Sequence, residues 1–192
     1  MRIFTLLFLT ILTSTLYAQE HEFSIHIGKR EIGTILAKRE KTQNKELYKV
    51  VSDATFRVVW KYHRTTDMSA VYINDTLESS VSKIEMNNDV KEFSEYWKDG
   101  NGFKCHRQGK MEMEEKVVQY SSVKLYFEEP VEIDSVYSET FLEMSYLENL
   151  GDHRYKLYLP GNRENTYSYQ NGKLQDVKVD RTIDIFFKRK SD

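Results

Sequence analysis

The sequence predicts a mostly β protein, either an antiparallel β-barrel or a strongly curled sheet, with one short helix. Apolar and polar residues alternate along most of the chain, a period typical of strands with one buried face. Short polar segments, several of them containing glycine or asparagine, separate the alternating runs. A series of roughly ten to twelve short strands joined by tight turns is typical of antiparallel barrels and curled sheets.

The first residues predict export from the cytoplasm. Arg2 precedes the apolar run IFTLLFLTILTSTLY, and Ala18 follows as a small residue suited to signal-peptide cleavage. The run is shorter than the roughly 20 apolar residues that a transmembrane helix needs, so a lasting anchor is the weaker interpretation. We therefore expect a cleaved signal peptide at 1–18 and a single curled β domain at 19–192, either periplasmic or secreted, with no transmembrane segment in the mature chain.

Charge, cysteine and histidine content narrow the classes of function. The 28 Lys and Arg residues are interspersed with 30 Asp and Glu, so there is no basic stripe of the kind that binds nucleic acid. Cys105 is the single cysteine, which excludes an internal disulfide and predicts a small buried side chain. None of the five histidines has the paired spacing of a zinc site, so we expect neither a metal nor a cofactor.

In the N-terminal half, the longest alternating run covers residues 48–62. Nearly every even position is apolar, which predicts one long strand with a bend or bulge near residues 52–54. The turn residues Asn74 and Asp75, and the sequence KDGNG, separate other alternating runs. Further strands are predicted at 23–27, 32–38, 68–72, 77–86, 92–97 and 103–106.

The middle of the chain changes its period. Residues 117–127 predict a strand that ends at the sequence EEP, because proline has no N–H for the ladder. The apolar residues of 131–137 fit one or two helical turns capped by Asp134, followed by a strand near 142–147. A longer helix through Leu150, ended by Gly151, is the alternative.

The C-terminal part predicts hairpins with specific turns. Pro160-Gly161 supplies the central residues of a type II turn. Asn171-Gly172 tolerates the positive φ angles of a type I′ turn and is the strongest hairpin signal in the chain. The strands around these turns are predicted at 155–159, 166–169, 174–179 and 182–187.

Several segments together resemble a family of secreted Bacteroidota proteins, domain of unknown function 6134. They include LYFEEP, VYSETF and GDHRYKLYLPGNRENTYSYQNGKLQDVKV, with IGTILAKRE and AVYINDTLESS in the expected order before them. The resemblance covers roughly residues 23–187 and departs at Asn162-Arg163, where an aspartate-glycine type of turn is expected. It implies an exported, curled β domain and carries no activity, ligand or catalytic residue.

A candidate polar site lies where the predicted strand at 117–127 ends. Its candidate residues are Tyr126, Glu128, Ser138 and Glu139. Adjacent strand residues point to opposite faces, so the neighbouring carboxylates Glu128 and Glu129 do not share one site. Ser138 lacks the glycine-flanked motif of a nucleophile elbow. A structural corner is therefore the favoured interpretation of this stretch.

Two short patterns match O-glycosylation in Bacteroidota, an aspartate followed by Ser or Thr and an apolar residue. They place candidate sugars on Thr76, beside a predicted turn, and on Ser135. Because so short a pattern occurs often by chance, an unmodified turn is the favoured interpretation.

Together these features predict a non-enzymatic envelope protein that binds an apolar ligand or a protein partner. The motivation is that the predicted long strand carries apolar residues on both faces, with Val51 and Val59 opposite Phe56 and Trp60. One of these faces then needs a helix, a ligand or a partner to cover it. The alternative is a hydrolase or transferase whose polar site lies between Tyr126 and Glu139.

Overall fold

A computed structural model describes residues 17–57, 59–100, 102–107, 109–114 and 117–191. Within them, fourteen antiparallel strands and one 3-10 helix (Ser122–Tyr126) form the fold. The strands are β1 (Tyr17–Ile27), β2 (Arg30–Lys41), β3 (Lys45–Arg57), β4 (Lys61–Ile73), β5 (Thr76–Met86), β6 (Asp89–Asp99), β7 (Gly102–Arg107), β8 (Lys110–Glu114), β9 (Ser135–Ser138), β10 (Glu143–Gly151), β11 (Arg154–Leu159), β12 (Arg163–Gln170), β13 (Lys173–Asp180) and β14 (Ile185–Arg189).

All the strands belong to one sheet made of two meanders. Its order is β8-β7-β6-β5-β4-β3-β2-β1-β14-β13-β12-β11-β10-β9, so the meanders join where the first strand pairs with the last. In the described part of the chain, β8 and β9 are the two edges and no ladder closes the sheet. The predicted curled antiparallel sheet with one short helix is confirmed, with more strands than the sequence indicated.

Two-residue turns that begin with asparagine or aspartate set the register of four hairpins. In the two-residue turns at 74–75, 87–88, 152–153 and 171–172, both central residues have positive φ angles. This is the geometry of the type I′ turn, whose twist matches that of the flanking strands. The hairpin predicted at Asn171-Gly172 is thereby confirmed, with φ angles of 52° and 72°.

The single long strand predicted over 48–62 is wrong. β3 ends at Arg57 and β4 begins at Lys61, and Phe56 pairs with Tyr62 across the hairpin. No register shift interrupts β3 at the bend predicted near 52–54. Residues that pair across a hairpin point to the same face of the sheet. Because Phe56 pairs with Tyr62, even-numbered residues point to the same face in β3 and in β4, and the alternation continues through the hairpin as if it were one strand. Trp60 therefore lies in the turn, where it is 73% exposed.

The predicted strand at 117–127 and the predicted helix at 131–137 are both wrong. Residues 117–120 are irregular and lead into the 3-10 helix, whereas Asp134 caps no helix and directly precedes β9. The strand predicted near 142–147 is confirmed as the start of β10, which excludes the alternative helix through Leu150. The 3-10 helix is buried on nearly all sides, so its apolar residues show no period that identifies a helix.

The sheet curls around this part of the chain, which we call the inner segment (residues 117–142). The backbone N–H of Leu77 in β5 donates to the carbonyl of Val118 at 2.8 Å. On the other meander, the Tyr169 hydroxyl donates to the carbonyl of Leu125, also at 2.8 Å. The inner segment is thus bonded to both halves of the sheet, and its side chains fill much of the concave side.

The predicted signal peptide falls largely on residues 1–16, outside the described residues. Tyr17 and Ala18 begin β1, where they pair with Lys41 and Glu40. Cleavage after Ala18 would remove only these two pairs from the ladder between β1 and β2.

Candidate functional site

A partly open cavity of about 180 Å³ lies between the inner segment and the concave face of the sheet. Both meanders contribute to its walls. Much of the wall is apolar, including Ile35, Val50, Leu157 and Val179, all of them buried. The inner segment adds hydroxyl groups from Ser122, Tyr126, Ser138 and Thr140.

Three arginines line this cavity. Arg64 lies in β4, Arg163 begins β12, and Arg181 follows the last residue of β13. The last two are neighbours in the sheet, because the register pairs Glu164 with Asp180. The first two side chains are half-buried, whereas that of Arg181 is exposed and marks the open side of the cavity.

The arginines repel one another. Burial lowers the pKa of Arg64; the charge of Glu92 raises it in part, and that of Arg163 lowers it further. Burial also lowers the pKa of Arg181, followed by the charges of Arg163 and Arg64. Within the described part of the chain, none of the three guanidinium groups forms an ion pair with a carboxylate. Arg181 does donate to the carbonyl of Asp180 at 2.5 Å.

The loop after β9 crosses the opening between the two meanders. The Phe141 ring centroid lies 5.0 Å from the guanidinium carbon of Arg107 in β7 and 5.3 Å from that of Arg163 in β12. Thr140 shares a 2.9 Å hydrogen bond with Ser82 in β5. These contacts hold the loop over the cavity, and the cation–π geometry orients two guanidinium groups.

Glu139 is the most deeply buried ionisable group in this region, with 0% exposure. The Ser122 hydroxyl donates to its carboxylate, and the backbone N–H of Val123 donates at 3.3 Å. Burial raises the pKa of Glu139, although these hydrogen bonds act in the opposite direction. The carboxylate thereby joins the loop after β9 to the start of the 3-10 helix, where backbone N–H groups lack helical partners.

Three of the four residues predicted for a polar site come together. Tyr126 and Ser138 line the cavity, and Glu139 lies behind Ser122 without lining it. Burial raises the pKa of Tyr126, so its phenol stays protonated at neutral pH. Glu128 lies elsewhere, 3.7 Å from Arg39 in β2, because the chain turns away after the 3-10 helix.

Glu128 belongs to a second polar cluster around Glu46. Arg39 donates to both carboxylate oxygens of Glu46 at 3.1 Å, and Lys41 and the Tyr48 hydroxyl also contact that carboxylate. The side chains of Arg39 and Glu46 are only 13% and 8% exposed. Here a nearly buried arginine is neutralised by acids, unlike the three arginines of the cavity.

The remaining predicted positions lie outside the cavity. Thr76 is the first residue of β5, directly after the turn at 74–75, and Ser135 is the first residue of β9. Both are half-buried, and their glycosylation stays a prediction. Cys105 is 7% exposed, with its sulfur 4.0 Å from the Tyr137 hydroxyl, as expected for a buried thiol.

The cavity arginines were missed by the sequence analysis, although a signal for them exists. Arg64 stands in phase with the inward-facing Met68 and Tyr72, and Arg163 stands in phase with Tyr167 and Tyr169. An arginine in the inward-facing series of a strand directs its charge toward the concave side of the sheet. The period-two pattern would have shown this if charged residues had been included in it.

Metal ligation and membrane-spanning helices find no support in the described residues. They contain no group of three or more His, Cys, Asp and Glu residues placed to hold a metal ion. No helix in the same part of the chain has the length and apolar character required to cross a membrane.

Comparison with known proteins gives a family and a fold. Residues 23–190 match the family described as Domain of unknown function (DUF6134). The fold is similar to that of a solved structure titled "Beta-barrel-like Protein of Domain of Unknown Function DUF1849", from Brucella abortus, with a TM-score of 0.59 and 7% identity. That likeness covers 93% of this chain and 98% of the other, and at this identity it concerns the fold alone. No curated protein matches the chain.

Proposed function

The chain belongs to the DUF6134 family, and we propose that it binds a small ligand with an apolar body in the central cavity. The observation that carries the proposal is the cavity itself, which combines apolar walls with a few polar groups from the inner segment. Ligand sites typically have this composition, in which apolar walls supply affinity and a small number of polar groups fix orientation.

The interior next to this cavity is otherwise well filled. The inner segment packs Val123 and Leu125 against the sheet with 0% exposure. Protein interiors are closely packed, and the partly open cavity of about 180 Å³ is a recess that this packing leaves unfilled. An engineered apolar cavity of about 150 Å³ is large enough to bind benzene. The cavity therefore offers room for a short alkyl or aryl group.

The alternative of a hydrolase or transferase has weaker support. A serine nucleophile needs a base within hydrogen-bond reach. Ser122 contacts Glu139, but this carboxylate is fully buried and also accepts from the backbone of Val123. The residues that line the cavity include no histidine, aspartate or glutamate within the described chain. The contact of Ser122 with Glu139 fits a role in holding the loop and the 3-10 helix together.

We further propose that binding takes place in the cell envelope or outside the cell. The support is the basic and apolar start of the chain with a small residue at Ala18, as in signal peptides. N-terminal sequencing of protein recovered from the producing cells tests this directly. The expected first residue is Gln19, and protein that retains Met1 and stays in the cytoplasm would contradict export.

Isothermal titration calorimetry with 1-octanol, a neutral ligand with one apolar chain, tests binding in the cavity. The variant Ser52→Phe places a ring at a wall position of β3 and is expected to abolish binding. The matched control is Ser69→Phe on β4, where Ser69 lies out of phase with the inward-facing residues and outside the cavity lining. Circular dichroism establishes that both variants fold. Equal binding of 1-octanol by both folded variants would contradict the proposal. So would a failure of the unmodified protein to bind both 1-octanol and octanoate, the carboxylate of the same chain length.

A further inference from the structure

We propose that the ligand is an anionic amphiphile, whose oxyanion binds Arg64, Arg163 and Arg181 while its apolar chain lies against the cavity walls. The oxyanion is a carboxylate, sulfate or phosphate group. This inference rests on the proposed function, since it names the chemical class of the ligand for the same cavity.

The first support is the convergence of the arginines. They come from β4, β12 and the residue after β13, strands that lie on both sides of the junction between the meanders. Their side chains nevertheless line one cavity of about 180 Å³. Like charges brought together in a partly buried site disfavour each other, so the fold holds these groups against their mutual repulsion. An anion between the three guanidinium groups would attract each of them and so offset their mutual repulsion.

The second support is the shortage of acids around the arginines. Glu92 attracts Arg64 and Asp180 attracts Arg181, but neither carboxylate forms an ion pair with these arginines among the described residues. At the Glu46 cluster, by contrast, Arg39 has the carboxylates of both Glu46 and Glu128 within 4 Å. Because the same sheet neutralises one buried arginine with its own acids, the excess of positive charge in the cavity favours an external anion.

The chemistry of the guanidinium group sets the kind of anion. Its N–H groups form a planar fork that matches the two oxygens of a carboxylate or of a sulfate or phosphate edge. Phe141 restricts the orientation of Arg163 through its ring, which reduces the entropy that this side chain would lose on binding. Ser138 adds a hydroxyl group to the same lining, whereas the hydroxyl hydrogen of Ser122 is donated to Glu139.

The apolar walls set the rest of the ligand. A simple inorganic anion would make no contact with the cavity-lining side chains of Ile35, Val50 and Leu157, whereas an alkyl chain would pack against them. Arg181 is exposed at the open side, so the cavity also admits chains longer than the enclosed space. The arginines and the apolar walls together thus favour a charged head with an apolar chain.

The test is isothermal titration calorimetry of the purified protein with four compounds. Octanoate, 1-octanol and octylammonium share one chain length and differ in head charge, and acetate carries the carboxylate without the long chain. We expect octanoate to bind at least about tenfold more tightly than 1-octanol, because hydrogen bonds to a charged group are stronger than neutral ones. Octylammonium is expected to bind more weakly than 1-octanol, and acetate without measurable heat.

Variants identify the residues that bind the head. Arg64→Met and Arg181→Gln are each expected to lower octanoate affinity about tenfold relative to the affinity for 1-octanol. Arg181 is exposed, so its variant is expected to fold even if a change at Arg64 does not. The control is Arg154→Met in β11, where Arg154 is exposed and out of phase with the inward-facing residues. It should change neither affinity.

The outcomes separate this inference from the proposed function. If neither 1-octanol nor octanoate binds, both proposals fail. If the two bind equally, or if the arginine variants weaken both alike, the cavity binds apolar ligands and the inference of an anionic head is overturned. If acetate binds as tightly as octanoate, the arginines form a simple anion site and the amphiphile is overturned.

Discussion

Replacing Glu46 by glutamine should remove one of the largest electrostatic contributions to the stability of this fold. Burial alone would raise the pKa of this carboxylate, but hydrogen bonds from Lys41 and Tyr48 and the charge and hydrogen bonds of Arg39 lower it to about 2. Compared with the ordinary pKa of 4.5, this corresponds to about 3 kcal/mol of folding free energy. Because the Glu46 side chain is only 8% exposed, solvent screens these interactions little.

The sign of the pH dependence follows from the lowered pKa. A carboxylate whose pKa is depressed in the folded state contributes its stability above the unfolded pKa and loses it as the pH falls toward the folded one. The unmodified protein should therefore lose about 3 kcal/mol from Glu46 alone between about pH 5 and pH 2. Glu46→Gln cannot titrate, and at pH 7 it leaves Arg39 nearly buried with only the more distant Glu128.

Urea unfolding followed by far-ultraviolet circular dichroism at pH 7 and pH 3 measures both effects. We expect Glu46→Gln to be less stable by about 3 kcal/mol at pH 7, with a smaller difference at pH 3. The control is Asp67→Asn, whose carboxylate lies 3.5 Å from Lys49 with 52% and 57% of the two side chains exposed. Such an exposed pair should contribute less than about 1 kcal/mol. A loss at Glu46 no larger than that at Asp67, or a difference independent of pH, would refute the reasoning.

Three other positions give further predictions. In urea unfolding, Glu139→Gln should gain stability relative to the unmodified protein as the pH rises from 4 to 7. The reason is that the raised pKa of Glu139 makes its ionised form unfavourable in the folded state. A stability difference that does not change with pH would contradict this. Gly33→Ala should cost about 2 kcal/mol or more by the same assay, because the added carbon would lie 2.1 Å from the carbonyl oxygen of Asp53, and unchanged stability would contradict the packing. Cys105, at 7% exposure, should react with a thiol reagent such as dithionitrobenzoate only after unfolding in urea, and rapid reaction of the folded protein would contradict its burial.

Alternating strands with specific turns were predictable from the sequence. β5 is fixed by an alternating run and by the turn at 74–75, and β12 and β13 by the Asn171-Gly172 turn. In each case the period of two and the turn chemistry agree, which leaves one register. The hairpin of β3 and β4 shows the limit: even-numbered residues face the same side in both strands, so the sequence alone did not show that β3 ends at Arg57 and β4 begins at Lys61.

The inner segment was not predictable in the same way. Val123, Leu125 and Tyr126 are buried residues of a 3-10 helix. They are apolar because they are buried, and not because they form one face of a strand. The candidate site shared this difficulty. Tyr126, Ser138 and Glu139 were placed in one region by their closeness along the chain, whereas the arginines come from strands far apart in sequence. Only the curling of the sheet brings those groups together.

The Glu46 cluster and the cavity arginines have opposite effects on the stability of the protein without a ligand. At Glu46, acid and base neutralise each other, so the cluster stabilises the fold without any ligand. In the cavity, burial lowers the pKa of Arg64 and Arg181, which means that folding disfavours their charged forms. A ligand that binds only the folded state adds stability in proportion to the logarithm of its concentration, and an anion would also relieve the repulsion between the arginines. This contrast supports the proposal that a ligand binds in the cavity and not at the Glu46 cluster.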